Sequence, residues 1–162
     1  KEGGIINSSQ NVPVLTESFD KIDFKNSILF IPGGIGTRIL FQNEEYIKAL
    51  KKFGEESEII FTVCTGSILF SKTGLLDGKN ATSNKRAFAL TNKESPKVNW
   101  IKKARWVKDG NTYTSSGVSA GIDMALGFIS DVLGYEIAKR QSIEIEYEWK
   151  ENREWDPFSE FY

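Results

Sequence analysis

The residue best suited to chemistry is the chain's single cysteine, Cys64, in the stretch "IIFTVCTGSILFS" at 59–71. An apolar, β-branched run of strand length meets the small-residue turn Thr65-Gly66-Ser67, and a second apolar run follows. This pattern predicts a strand, a sharp turn and a helix, with Cys64 at the elbow. A side chain at such a corner is buried in neither sheet nor helix, and the unpaired N–H groups of the new helix favour thiolate over thiol. The expected chemistry is nucleophilic attack by a sulfur whose pKa lies below the free value of about 8.5. Without the turn, a cysteine on an apolar strand reads as a small buried hydrophobe.

A glycine-rich loop bears on the same chemistry. "PGGIGTR" at 32–38 follows the apolar run "SILFI" at 27–31, which places the loop at the carboxyl end of a strand, the ligand side of an open α/β sheet. It has neither the G-x-x-x-x-G-K spacing of a phosphate loop nor a dinucleotide fingerprint. On the strand beside the elbow, its backbone N–H groups are candidate oxyanion donors. With no second cysteine and no histidine, an internal disulfide, a zinc-type cluster and a Cys-His pair within one chain cannot be assembled. Arg38 either binds an anionic group or, the plainer reading, is solvent-exposed.

These residues need elements to hold them. The 162 residues, 40% hydrophobic and 27% charged, suffice for one globular domain with a core. Residues 1–16 predict a β-hairpin, "GGIIN" and "VPVLT" about a polar turn. "SILFI" predicts a strand buried on both faces of a parallel sheet, and Tyr46, Ile47, Leu50 and Phe53 give 43–53 helical spacing. After the elbow the helix is expected to end at Gly74, with a turn at Asp77-Gly78, a short strand at 79–82 and a helix over 83–91. "ARWVKDGNTYTSS" predicts a hairpin about Asp109-Gly110-Asn111, packed by Trp100 and Trp106. Helices over 117–134 and 135–147 complete a parallel α/β order.

Net charge is −1 but unevenly spread: 79–108 carries nine Lys or Arg against one acid, Glu94, and 144–162 carries seven acids against Lys150 and Arg153. Such a basic stretch attracts nucleic acid or an anionic substrate; here it is read as a solvated face partly balanced by the acidic tail, so nucleic acid is not an expected partner. In that tail, Trp155, Pro157 and Phe158 either cap the site or a partner subunit, or dock on the parent domain. No apolar run is long enough to span a membrane, Lys1 opens no signal-peptide pattern, and a lone thiol fits a reducing cytoplasm.

Taken together, "PGGIGTR", "VCTGSILFSKTGLLDGKNAT", "WVKDGNTYTSSGVSAGIDMAL" and "EYEWKENREWDPF" resemble the ThiJ/PfpI superfamily, in particular its isonitrile-hydratase branch and the amidase-like sensor domains of certain AraC-type regulators. The resemblance implies an α/β, flavodoxin-like three-layer sandwich with a mostly parallel central sheet and a nucleophile elbow, of the class I glutamine-amidotransferase-like kind. By the same resemblance Cys64 is the nucleophile and Thr65 contacts the substrate through its N–H and hydroxyl. Gly33 and Gly34 oppose them as backbone donors, with Gly66 in the same turn. An acid is implied at Asp123, whose plainer role is to complement its helix dipole. The implied activity is isonitrile hydration on a small-molecule substrate, with no cofactor and no metal, in a homodimer; a redox sensor and a glyoxalase or deglycase are the alternatives. Two departures stand out. Asn84 occupies a position where many relatives carry histidine, which lowers the last alternative. The chain also begins after the strand-to-helix turn that supplies an assisting carboxylate in isonitrile-hydratase relatives. Residues 1–162 are therefore expected to form a single domain without its N-terminal strand and helix, with a bare apolar edge and no carboxyl partner for Cys64.

Overall fold

A computed structural model of the chain describes residues 2–8 and 10–162. The expected N-terminal hairpin is formed by β1 (Gly4–Asn7) and β2 (Pro13–Thr16), with Ile5 opposite Leu15 and Ile6 opposite Val14; Lys1 and Ser9 lie outside the described residues. Next come β3 (Ile28–Ile31), α1 (Gly36–Leu40), α2 (Glu44–Glu56), β4 (Ile59–Val63) and α3 (Gly66–Ser71). Asn43 starts α2 by accepting the Tyr46 N–H at 3.0 Å on its side-chain oxygen, the N-cap bond that satisfies one of the orphan donors of a helix start. Beyond α3 the chain forms β5 (Asn80–Ala81), α4 (Ala89–Glu94), β6 (Asn99–Trp100), β7 (Trp106–Asp109), β8 (Thr112–Ser115), α5 (Val118–Leu133) and α6 (Tyr135–Glu144).

The central sheet has the order β3-β4-β8-β7. Its first three strands are parallel and β7 closes it antiparallel, through the hairpin that turns at Gly110, φ +60°. Because side chains alternate across a strand, β4 feeds two cores. Ile60 joins Ile31, Leu50, Leu69 and Phe70 on one face, while Phe61 joins Trp106, Tyr113 and Met124 on the other. Helices α2 and α3 cover the first face and α5 the second, giving three layers. Each fully buried Leu or Phe, such as Leu69 and Phe70, contributes about 1.5–3 kcal/mol of transfer free energy, so the short helix α3 is fixed by packing more than by its own propensity. On the opposite layer Gly127 brings α5 against Trp106, where an added Cβ would meet the ring at 2.5 Å.

Several elements depart from the sequence reading. Among the described residues β3 pairs only with β4, and Ile28 is 49% and Phe30 57% exposed, where the apolar run alone predicted burial on both faces and the expected bare apolar edge predicted exposure. A continuous apolar run cannot by itself tell a central strand from an edge strand. The helix after the elbow stops at Ser71, three residues before Gly74, which lies in the following turn at φ +81°. The segment 83–91 splits into a 3-10 turn, Lys85–Ala87, and α4. Trp106 does pack within the β7–β8 layer, but Trp100 sits on β6 and packs against the first core, its Nε1 donating to the Ser95 carbonyl at 3.0 Å. The short α1 and β6 carry no clear periodic signal. Among the described residues, no helix is long and apolar enough to cross a membrane.

Candidate active site

Parallel pairing of β3, β4 and β8 brings their carboxyl ends to one rim. The loops that leave it are 32–35, Cys64-Thr65 and Ser116-Gly117, and such a rim is where open α/β sheets hold ligands. Cys64, half-buried, takes φ +59° between β4 and α3. A non-glycine residue in this left-handed region costs on the order of 1–2 kcal/mol and persists where its surroundings over-determine it. They do so here by hydrogen bonding: the Cys64 N–H donates to the Ser115 carbonyl at 3.1 Å, and its carbonyl accepts from Ser67 Oγ and Ser83 Oγ, both at 3.0 Å.

The glycine loop closes on this corner. A Cβ on Gly33 would fall 2.7 Å from Cys64 Cβ and 2.8 Å from the Thr65 nitrogen, so only glycine fits. Thr65 Oγ1 accepts from the Gly34 N–H at 3.0 Å and lies 3.0 Å from Thr37 Oγ1, which in turn donates to the Gly34 carbonyl at 2.7 Å. Thr37, which the sequence reading passed over, thus locks the loop to the elbow. Among the described residues no hydrogen bond engages the N–H of Gly33 or Thr65. The Gly34 N–H is taken, and the Thr65 hydroxyl faces the loop. Gly66 has a packing role: a Cβ there would meet the Ile31 carbonyl oxygen at 2.3 Å, so the residue seats α3 against the end of β3. Arg38 is exposed, as read. No carboxylate is hydrogen-bonded to the Cys64 sulfur among the described residues. On the β3 side, an apolar cavity of about 380 Å³ lined by Leu29, Leu40, Tyr46 and Phe53 reaches the corner at Gly33.

Asp123 lies elsewhere in the network than its position near the α5 start suggested. It is 0% exposed, its Oδ2 accepts from Arg105 Nε at 2.7 Å and NH2 at 2.6 Å, and its Oδ1 accepts the Lys150 N–H at 2.8 Å. The carboxylate is therefore engaged by a buried cation and the tail backbone rather than by the helix dipole. A second tail carboxylate, Asp156, also 0% exposed, accepts from Ser116 Oγ and sits 3.8 Å from Arg105 NH1 and 4.0 Å from Lys85 Nζ. Lys85 Nζ donates to the Ala104 carbonyl at 2.6 Å and Thr82 Oγ1 at 2.8 Å. Burial pushes the Lys85 ammonium down to about 8, with Asp156 pulling the other way and Arg105 and Lys102 adding repulsion. The tail thus docks on the parent domain, and the signal for it was present in the sequence as the basic 79–108 stretch and the acidic 144–162 stretch. Asn84, at the histidine position of the resemblance, caps the 3-10 turn by accepting the Ala87 N–H at 3.1 Å.

The sequence matches the DJ-1/PfpI family over residues 2–131. It is 32% identical over 121 residues to isonitrile hydratase of Pseudomonas putida, covering 74% of this chain and 51% of that protein. It is 25% identical over 141 residues to the HTH-type transcriptional regulator CdhR of Pseudomonas aeruginosa, covering 87% of this chain and 41% of the regulator. The chain spans about half the length of these curated relatives. Among solved structures, a ThiJ/PfpI family protein from Pseudomonas syringae superposes with a TM-score of 0.72 at 28% identity, covering 89% of this chain and 59% of that one. Drosophila melanogaster DJ-1beta shares the fold, with a TM-score of 0.72 at 20% identity over 91% of this chain and 80% of its own.

Proposed function

The chain belongs to the DJ-1/PfpI family, and from that premise we propose that it is a cysteine-dependent hydratase of isonitrile-hydratase type, converting R–N≡C and water into an N-substituted formamide. The observation that carries this reading is the Cys64 corner, held at φ +59° beside two backbone donors that no hydrogen bond engages among the described residues. The thiolate adds to the terminal isonitrile carbon, forming a C–S bond, and that carbon takes a proton from a carboxylic acid or from water. Water then adds across the C=N bond, its oxygen to the carbon and one of its protons to the nitrogen; the N–H groups of Gly33 and Thr65 stabilise that oxygen, and as the remaining O–H proton leaves, replacing the one taken up in the first step, the C–S bond breaks to return the thiolate and release the formamide. The apolar cavity that meets Gly33 has room for a hydrocarbon R group. A homodimer in a reducing cytoplasm is part of the same proposal, checked by light scattering after size exclusion. Formamide production from a panel of alkyl and aryl isonitriles by wild type and not by Cys64→Ala supports hydration; absence of turnover across the panel overturns it.

A second reading, a redox sensor, is favoured by the 25% identity to the transcriptional regulator CdhR together with the half-buried sulfur of Cys64. A half-buried cysteine on a strained corner suits peroxide oxidation as well as catalysis. Intact mass after mild peroxide separates the two: rapid gain of two oxygens at Cys64 in a protein that turns over no isonitrile favours the sensor.

A further inference from the structure

A smaller cavity of about 230 Å³ is walled by residues that follow two of the hydrogen-bond partners of the Cys64 backbone. Two of its wall residues, Asn84 and Lys85, directly follow Ser83, whose hydroxyl holds the Cys64 carbonyl. Two others, Ser116 and Gly117, directly follow Ser115, whose carbonyl holds the Cys64 N–H. The cavity walls thus stand one or two residues along the chain from the bonds that shape the nucleophile's corner.

Its charge is one-sided. Lys85, Arg86 and Arg105 line it, and among the described residues no acidic side chain does. Asp123 and Asp156 balance Arg105 and Lys85 from behind, outside the lining. Arg86 is exposed and engages no ion pair among the described residues, so its charge stands uncompensated at the mouth. Phe158 and Tyr162 of the tail form an apolar wall. The space is large enough for a compact acidic group.

We propose that this cavity binds the carboxylate of a small substrate or reagent of Cys64, with Arg86, Arg105 and Lys85 as its charge complement. Its role as a subsite rests on the nucleophile reading above; its anion binding does not. A one-signed, partly desolvated pocket raises the local concentration of an anion by an amount that falls with ionic strength.

Iodoacetate and iodoacetamide differ little except in charge, and both report the same thiolate, so the ratio of their alkylation rates at Cys64 cancels the acidity of the thiol. In wild type this ratio is expected to exceed that of an uncharged model thiol at the same pH, to fall with added NaCl, and to drop about threefold in Arg86→Gln. A wild-type ratio equal to the model thiol's and unchanged by Arg86→Gln overturns the proposal. Failure of both reagents to alkylate native Cys64 counts against the nucleophile reading instead. The cavity is then tested by titrating acetate at constant ionic strength and following the Gly117 and Ser119 amide resonances. Saturable shifts that weaken in Arg86→Gln support the site, and their absence in wild type overturns it.

Discussion

Arg105 grips Asp123 twice, with Nε at 2.7 Å and NH2 at 2.6 Å from the same oxygen, and both side chains are buried. The contact links the loop before β7 to the second turn of the protein's longest helix among the described residues. Through the Lys150 N–H on the other carboxylate oxygen, at 2.8 Å, it also pins the tail. Leaving one buried charge without its partner costs about 3–5 kcal/mol, whereas replacing both with apolar groups of similar volume costs far less. Arg105→Met is therefore expected to lower unfolding free energy in urea by roughly that amount and to expose the tail to limited proteolysis, while Arg105→Met with Asp123→Leu recovers a large part of the loss. A single variant as stable as wild type would show that the pair is not a structural tie.

Gly33→Ala tests the closeness of the loop to the nucleophile. The new methyl would fall within 2.9 Å of Cys64 Cβ, the Thr65 nitrogen and the Val63 carbonyl oxygen, two of which are backbone atoms that cannot rotate away. Overpacking of this kind costs about 1–3 kcal/mol. The expected result is that cost in urea unfolding together with a change in the rate of Cys64 alkylation by iodoacetamide of about tenfold or more; an unchanged rate would separate the loop from the site.

Gly127→Ala is expected to go against helix propensity. Alanine in a helix interior is favoured over glycine by about 1 kcal/mol, yet the added Cβ would meet two atoms of the Trp106 ring at 2.5 Å. The ring is buried at the heart of the second core, so a melting temperature several degrees lower and a shifted tryptophan emission are expected. A rise in melting temperature would mean that the α5 layer has slack.

Lys85 sets a pH dependence of definite sign. Its folded pKa is lowered from 10.5 to about 8 by burial, so below pH 8 both folded and unfolded states hold the proton and the cost of burying the charge is fully present. Between about 8 and 10.5 the unfolded state binds more protons, and stability rises with pH from this group. In Lys85→Met that rise is absent. The difference in unfolding free energy between wild type and the variant is expected to shift by about 1–3 kcal/mol in favour of wild type from pH 7.5 to 10; a difference independent of pH would place the Lys85 titration elsewhere.

How much of this could be seen in the chain itself follows from the range of the interactions involved. The elbow was legible because it is local: an apolar β-branched strand, Cys64, and Thr65-Gly66-Ser67 dictate a strand that turns into a helix. The β7–β8 hairpin was legible for the same reason, its turn being written in Asp109-Gly110-Asn111, and the bounds of α5 were marked by Gly117 and Gly134. What the sequence by itself determined, then, was the hairpins, the longer helices and the corner on which the cysteine stands, but not α1, β6 or the split of 83–91.

The tertiary structure decided which residues meet across long separations. That Gly33 faces Cys64 and Thr65 while the Gly34 N–H is taken by a hydroxyl depends on β3 and β4 lying side by side in register. That Asp123 is held by Arg105, instead of complementing its helix, depends on residues 18 apart in the chain closing on each other in the interior. Asp156 is one of seven tail acids, and nothing in its neighbours' spacing distinguishes the buried one; only docking against Lys85, Arg105 and Ser116 does. Local periodicity reports which face a residue is on, but not its partner, because a buried ion pair is fixed by the packing of whole layers.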